Sequence, residues 1–135
     1  MSKLFVPACG DRITIAQPWQ FKLYLEHRNM VFAKEQNLIP NTGTHNWWGI
    51  THPGTNNYVT VDHVIDPGTI LECDRVYIRA TSKSADNVED SYDSITWKIV
   101  VNGKAAKKGR FWVKLSDCYN LEFDPGSISR YQDRK

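Results

Sequence analysis

The clearest pattern in the chain is alternation. In "SITWKIVV", Ile95, Trp97, Ile99 and Val101 fall on one side of an extended segment, and Thr96 and Lys98 on the other. "RFWVKL" repeats it, with Phe111, Val113 and Leu115 set against Trp112 and Lys114. "YVTVDHVI" and "ILECDRVYIRA" read as two further strands around a "DPGT" turn, and Asn102-Gly103 is a hairpin signal. A short strand is expected at Arg12–Ile15, and "SDCYNLEF" reads as a last one. One segment follows a different period. In "QPWQFKLYLEHRNMVFAKEQNLIP", Phe21, Tyr24, Leu25, Val31 and Phe32 recur at helical spacing, Pro18 suits a first helical position and Pro40 ends the run. The pattern predicts an α+β fold, with an antiparallel sheet of four to five strands over about 58–123. One long N-terminal helix, about 18–38, packs on it. A polar loop at 40–57, a charged loop at 81–93 and a polar tail at 124–135 complete one domain, 1–135.

Composition narrows the function. The 135 residues, 41% hydrophobic, suffice for one core. A net charge of +2 gives no footprint for DNA. No apolar run approaches the ~20 residues needed to cross a bilayer, and the first residues lack the apolar segment of a secretory signal. Cys9, Cys73 and Cys118 are odd in number and far apart, which points to reduced thiols in a cytosolic protein. Five Trp and six Tyr are many for this length; such residues fill cores or form platforms for flat ligands.

Two strands carry cations around an aromatic residue. Arg110, Trp112 and Lys114 share the face opposite Phe111, Val113 and Leu115. In "ILECDRVYIRA", Arg75, Tyr77 and Arg79 share one face, with Glu72, Asp74, Val76 and Ile78 on the other. Trp112 then packs under a loop, meets another subunit or stacks on a ligand. Side by side, two such rows suit a nucleotide, its base on the aromatic and its phosphates on the arginines. Cross-strand pairing on an exposed sheet face is the plainer account. Arg28, on the apolar side of the expected helix, needs a partner or a polar cavity, and Glu26 and Asn29 are nearby candidates to satisfy it.

Signals for catalysis are weak. His45 and His52 have no Cys or carboxylate cluster beside them, so no metal site is expected. GxSxG and phosphate-loop motifs are absent, and Cys118 with His63 is a thin basis for a nucleophile. The chain reads as a binder without cofactor or catalytic residues.

Taken in order, "GTILECDRVYIRA", "YDSITWKI" and "GRFWVKLSDCYNLEF" resemble the first-described family of phage Thoeris anti-defence proteins, which act as sponges. The resemblance spans about residues 68–123 and extends weakly through "WQFKLYLEHRN". It implies a phage-encoded protein in the cytoplasm of the infected bacterial host. Such a protein binds a cyclic ADP-ribose isomer made by a TIR-domain protein, without cleaving it. Some members resemble hexamers, and some also hold cyclic oligonucleotides of the CBASS system. By the same resemblance, Arg79 and Arg110 would contact phosphate, and Phe111 and Trp112 would lie by the adenine, although alternation turns only one of those rings to a ligand. Asp117 and Asn120 would bond ribose or base, Arg28 would serve a cyclic-oligonucleotide site, and Arg130 and Arg134 would close over the ligand. Trp47 and Trp48, in the unplaced loop, are left as ligand wall or packing.

A sponge needs near-nanomolar affinity, about −12 kcal/mol. One stacked base contributes roughly 1–3 kcal/mol and each charge-assisted hydrogen bond about 1.5–3 kcal/mol. The sum reaches that range only in a preorganised pocket, deep or completed by a second subunit. The rival readings are an enzyme that destroys such signals, and a protein–protein inhibitor or virion component using the same Trp and Arg surface.

Overall fold

The computed structural model describes residues 7–78 and 93–134. Eight strands, β1 (Arg12–Thr14), β2 (Trp19–Tyr24), β3 (Thr44–Asn46), β4 (Gly49–Thr51), β5 (Thr60–Ile65), β6 (Ile70–Tyr77), β7 (Ser94–Val101) and β8 (Lys104–Lys114), build it. They form an antiparallel sheet in the order β1-β6-β7-β8 and two two-stranded ribbons, β2-β5 and β3-β4. The helices among the described residues are short: α1 (Met30–Glu35), entered through a 3₁₀ turn at His27–Asn29, α2 (Leu115–Cys118) and α3 (Tyr131–Arg134).

The long N-terminal helix is therefore a correction. Residues 19–24 are a strand, because Trp19, Phe21 and Leu23 are buried while Gln20 and Lys22 are exposed, a period of two. Aromatic residues fit a pleated surface better than a helix interior. Helix survives only around Phe32 and Ala33, which are buried, and it stops where Asn37 turns to φ 57°. Val31, counted on the apolar face, is exposed.

Strands β6, β7 and β8 form where alternation puts them, but a register shift between Lys98 and Val100 buries Val100 and exposes Val101, and β5 pairs with β2 rather than joining the four-stranded sheet. Asn102 and Gly103, both at positive φ, make the β7-β8 turn. The basic stretch from Lys104 belongs to β8, and "LSDC" forms α2, leaving Phe123 a single bridge to Ile15. Loop 40–57 contains the β3-β4 hairpin, with Trp47 and Trp48 at its turn. Of the charged loop 81–93, all but Asp93 lies outside the described residues.

The core lies between the inner face of the sheet and the β2-β5 ribbon. Trp19 and Phe21 from β2 meet Trp97 of β7 and Phe111 of β8, with Phe21 and Phe111 stacked at 5.4 Å and 6°. Phe32 of α1 closes the cluster at 4.5 Å from Phe111. Segment 24–32 thus wraps the open edge of β8, which is one way an unpaired edge is covered.

Candidate ligand-binding site

The outer face of the sheet gathers much of what the sequence singles out. Register puts Arg75 opposite Thr96 and Thr96 opposite Trp112; the next row is Tyr77, Ser94 and Lys114. The two expected rows thus share one face, with small Ser94 and Thr96 of β7 between them. A bulge between Cys73 and Arg75 changes the expected partition of β6. Glu72 and Asp74 join the outer face, where Asp74 accepts from Arg110 Nε at 2.8 Å and sits 3.5 Å from Lys98 Nζ. Burial works to raise the Asp74 pKa, but the Arg110 and Lys98 cations outweigh it and hold the carboxyl below its ordinary range. Arg110 is thus placed first as an ion-pair partner. Arg75 donates to the Tyr77 hydroxyl at 2.7 Å.

Trp112 is the centre of the arrangement, and it is only 1% exposed. Tyr24 stacks on it at 5.4 Å and 17°, Arg28 lies over its ring at 5.5 Å, and Lys114 lies 6.0 Å from the Tyr24 ring. Cation, indole, phenol and cation therefore form one pile. Buried Glu26 secures it, accepting from Trp112 Nε1 at 3.0 Å and from Arg28 Nε and N at 3.1 Å each. Asn29, fully buried, accepts from Trp112 N and donates to Trp112 O and Tyr24 O. Glu26 and Asn29 are the two residues the sequence offers as partners for Arg28: Glu26 takes that place, while Asn29 holds the Trp112 backbone instead. The helical reading counts Tyr24 on an apolar face, whereas it ends strand β2 and stacks on Trp112.

Asp117 and Asn120 come together elsewhere, in an open groove of about 460 Å³ shared with Lys22 and Asp62. Asp117 Oδ2 accepts from Lys22 N at 2.9 Å, and its carbonyl accepts from Trp19 Nε1 at 3.0 Å. Strand β2 joins groove and pile, since Lys22 and Tyr24 are two residues apart on the same side. Phe111, by contrast, is wholly in the core. Arg79 lies outside the described residues, as does the side chain of Arg134.

Arg130 is far along a different contact. It donates to Asp11 Oδ2 at 2.6 Å, and Asp11 also accepts from the N–H groups of Ala8 and Tyr131. This clasp joins the two chain ends. Burial pushes the Asp11 carboxyl up, and these bonds more than offset it, so its pKa lies below the ordinary 3.8. Its stabilising contribution is complete above that value and is lost as the pH falls through the lower folded one. Asp11→Asn is expected to flatten the loss of stability below about pH 4, as read by urea midpoints across that range; an unchanged slope would remove the clasp from the acid response.

The two buried thiols offer little chemistry. Burial pushes Cys73 and Cys118 up to about 12 each, so both stay protonated and poorly nucleophilic at neutral pH. Among the described residues, no group of three or more His, Cys, Asp or Glu is placed to hold a metal ion. No described helix is long and apolar enough to cross a membrane.

Comparison with known proteins adds nothing to this geometry: no family, curated protein or solved structure matches the chain.

Proposed function

We propose that this protein binds and sequesters a cyclic ADP-ribose isomer, made by a TIR-domain protein of a phage-infected bacterium, and releases it chemically unchanged. The observation that carries the reading is the pile of Arg28, Trp112, Tyr24 and Lys114 on the same face as Arg75 and Tyr77. Trp112 is buried beneath Tyr24 and Arg28, so the pile fixes the shape of the face, and its outer members together with Arg75 and Tyr77 suit a ligand with a flat base and a diphosphate. The motif order in "CDRVYIRA", "YDSITWKI" and "GRFWVKLSDCYN" supports the same reading. The adjoining groove offers Asp117 and Asn120 to ribose hydroxyls and Lys22 to phosphate. Because that groove is open, sponge-level affinity calls for completion by another copy of the chain, and we include a homo-oligomer, a hexamer by resemblance, in the proposal. Action in the host cytoplasm and a further site for cyclic oligonucleotides at Arg28 belong to the same reading.

The test adds a panel of cyclic ADP-ribose isomers to the purified protein, follows thermal unfolding, and analyses the ligand released on heating. A clear rise in Tm with intact ligand recovered is expected for at least one isomer. The double substitution Arg75→Ala/Lys114→Ala removes two cations and should weaken binding by about 100-fold or more. Altered ligand would make the protein an enzyme, and no Tm response to any isomer would end the proposal.

A further inference from the structure

Away from this face, the β3-β4 hairpin and the loop after it border a second, open concavity of about 440 Å³. Its walls include Thr44, Asn46, Trp48, Thr51, Asn56 and Tyr58, and no residue lining it is charged. Trp48 is 52% exposed, and Trp47, 73% exposed, packs against it from outside the pocket at 4.5 Å. Two neighbouring exposed indoles at a hairpin turn cost solvation and contribute nothing to the core, so burial does not explain them.

The pocket is held in shape by its own bonds. Trp48 N donates to Asn46 Oδ1 at 2.9 Å, which sets the turn. Thr55 Oγ1 donates to the His52 carbonyl at 2.9 Å and accepts from Asn57 N at 3.1 Å, and His52 N donates to the Asn57 carbonyl at 2.9 Å. Thr51 bridges to Tyr58 across the base of the loop. At Gly54 an added Cβ would meet nothing within 4 Å, so that side of the loop is open to solvent.

The lining decides the ligand class. A phosphate or carboxylate would find no cation there, and an amine no carboxylate. Hydroxyl and amide groups both donate and accept, which matches a ligand dense in hydroxyls. An indole gives such a ligand a flat apolar wall for its C–H face. Volume and preorganisation fall within the range of small-molecule sites. We infer that this pocket is a second binding site, for a neutral saccharide stacked on Trp48, independent of the anionic-ligand face.

The probes are the methyl glycosides of glucose, galactose, mannose and N-acetylglucosamine, with their β-linked disaccharides, titrated into the full chain and followed by saturation-transfer NMR. Saturable binding in the millimolar range by at least one is expected. Trp48→Ala should weaken it tenfold or more, and Arg75→Ala should leave it unchanged. Circular dichroism checks that Trp48→Ala keeps its fold; should it not, Asn56→Ala, at an exposed lining position, carries the test with an expected loss of several-fold. Absence of binding by every probe overturns the inference, as does binding unaffected by the pocket substitutions. Self-association abolished by Trp48→Ala without any saccharide response would also overturn it and make the indoles a contact between copies.

Discussion

Gly49→Ala is expected to lower Tm by roughly 10–20 °C, corresponding to about 3–5 kcal/mol. Gly49 is buried at φ +139°, outside the range that other residues accept readily. A Cβ there would stand 2.1 Å from the carbonyl oxygen of Leu25 and 2.9 Å from Cα of Glu26. Both neighbours are backbone, so no rotamer change relieves the clash. Nor can the hairpin simply lift away, because the Leu25 carbonyl accepts from Ile50 N at 2.8 Å and Ile50 is fully buried. Gly54→Ala separates close approach from conformational strain. It places a side chain at φ +75° with open space around it, and should cost only about 1 kcal/mol. Equal losses in the two variants, measured by thermal unfolding, would show that the contact with Leu25 is not what requires glycine at 49.

Strands β7 and β8 were legible because their large apolar residues alternate through Ile95, Trp97, Phe111 and Val113 and a two-residue turn fixes their pairing, although the outer-face Thr96 and Trp112 are buried as well. The segment after Pro18 satisfied two periods at once. Phe21, Tyr24, Leu25, Val31 and Phe32 fit a helix, but Trp19, Phe21 and Leu23 fit a strand, and only pairing with β5 decides between them. That partner lies about 40 residues away, beyond the reach of any local pattern. The bulge after Cys73 is equally silent in sequence, yet it moves Asp74 to the outer face, where it takes up Arg110. Cations on the outer face could be named from alternation; their partners could not. Trp112 shows the limit most clearly. Its side of the strand was readable, but its burial beneath Tyr24 and Arg28 depends on a chain segment wrapping the sheet edge.

That wrapping rests on Asn29, and Asn29→Ala should destabilise the protein by about 3–4 kcal/mol. β8 is an edge strand, so the Trp112 N–H and C=O have no neighbouring strand to meet. The Asn29 amide answers both, accepting from Trp112 N at 2.8 Å and donating to Trp112 O at 3.2 Å, and also donates to Tyr24 O at 2.9 Å. Truncation leaves three buried polar groups without these bonds. Asn29→Asp is the sharper probe, since the shape is kept and only the donor is lost. At neutral pH the introduced carboxylate would face two carbonyls and the nearby Glu26, a buried charge without compensation. Its pKa in the folded state would be raised, so the variant should recover stability as the pH falls through that raised value, when its protonated form can donate again. Wild type gains nothing from this group over the same range, because an amide does not titrate. Urea unfolding of the two variants and wild type at pH 7 and near pH 5 gives the comparison. If Asn29→Asp tracks Asn29→Ala at both pH values, the donor side of this clamp does not hold Trp112. Should the clamp hold as described, both variants should also weaken the cyclic nucleotide binding proposed for the outer face, because Tyr24 and Trp112 are kept in register by the same three bonds.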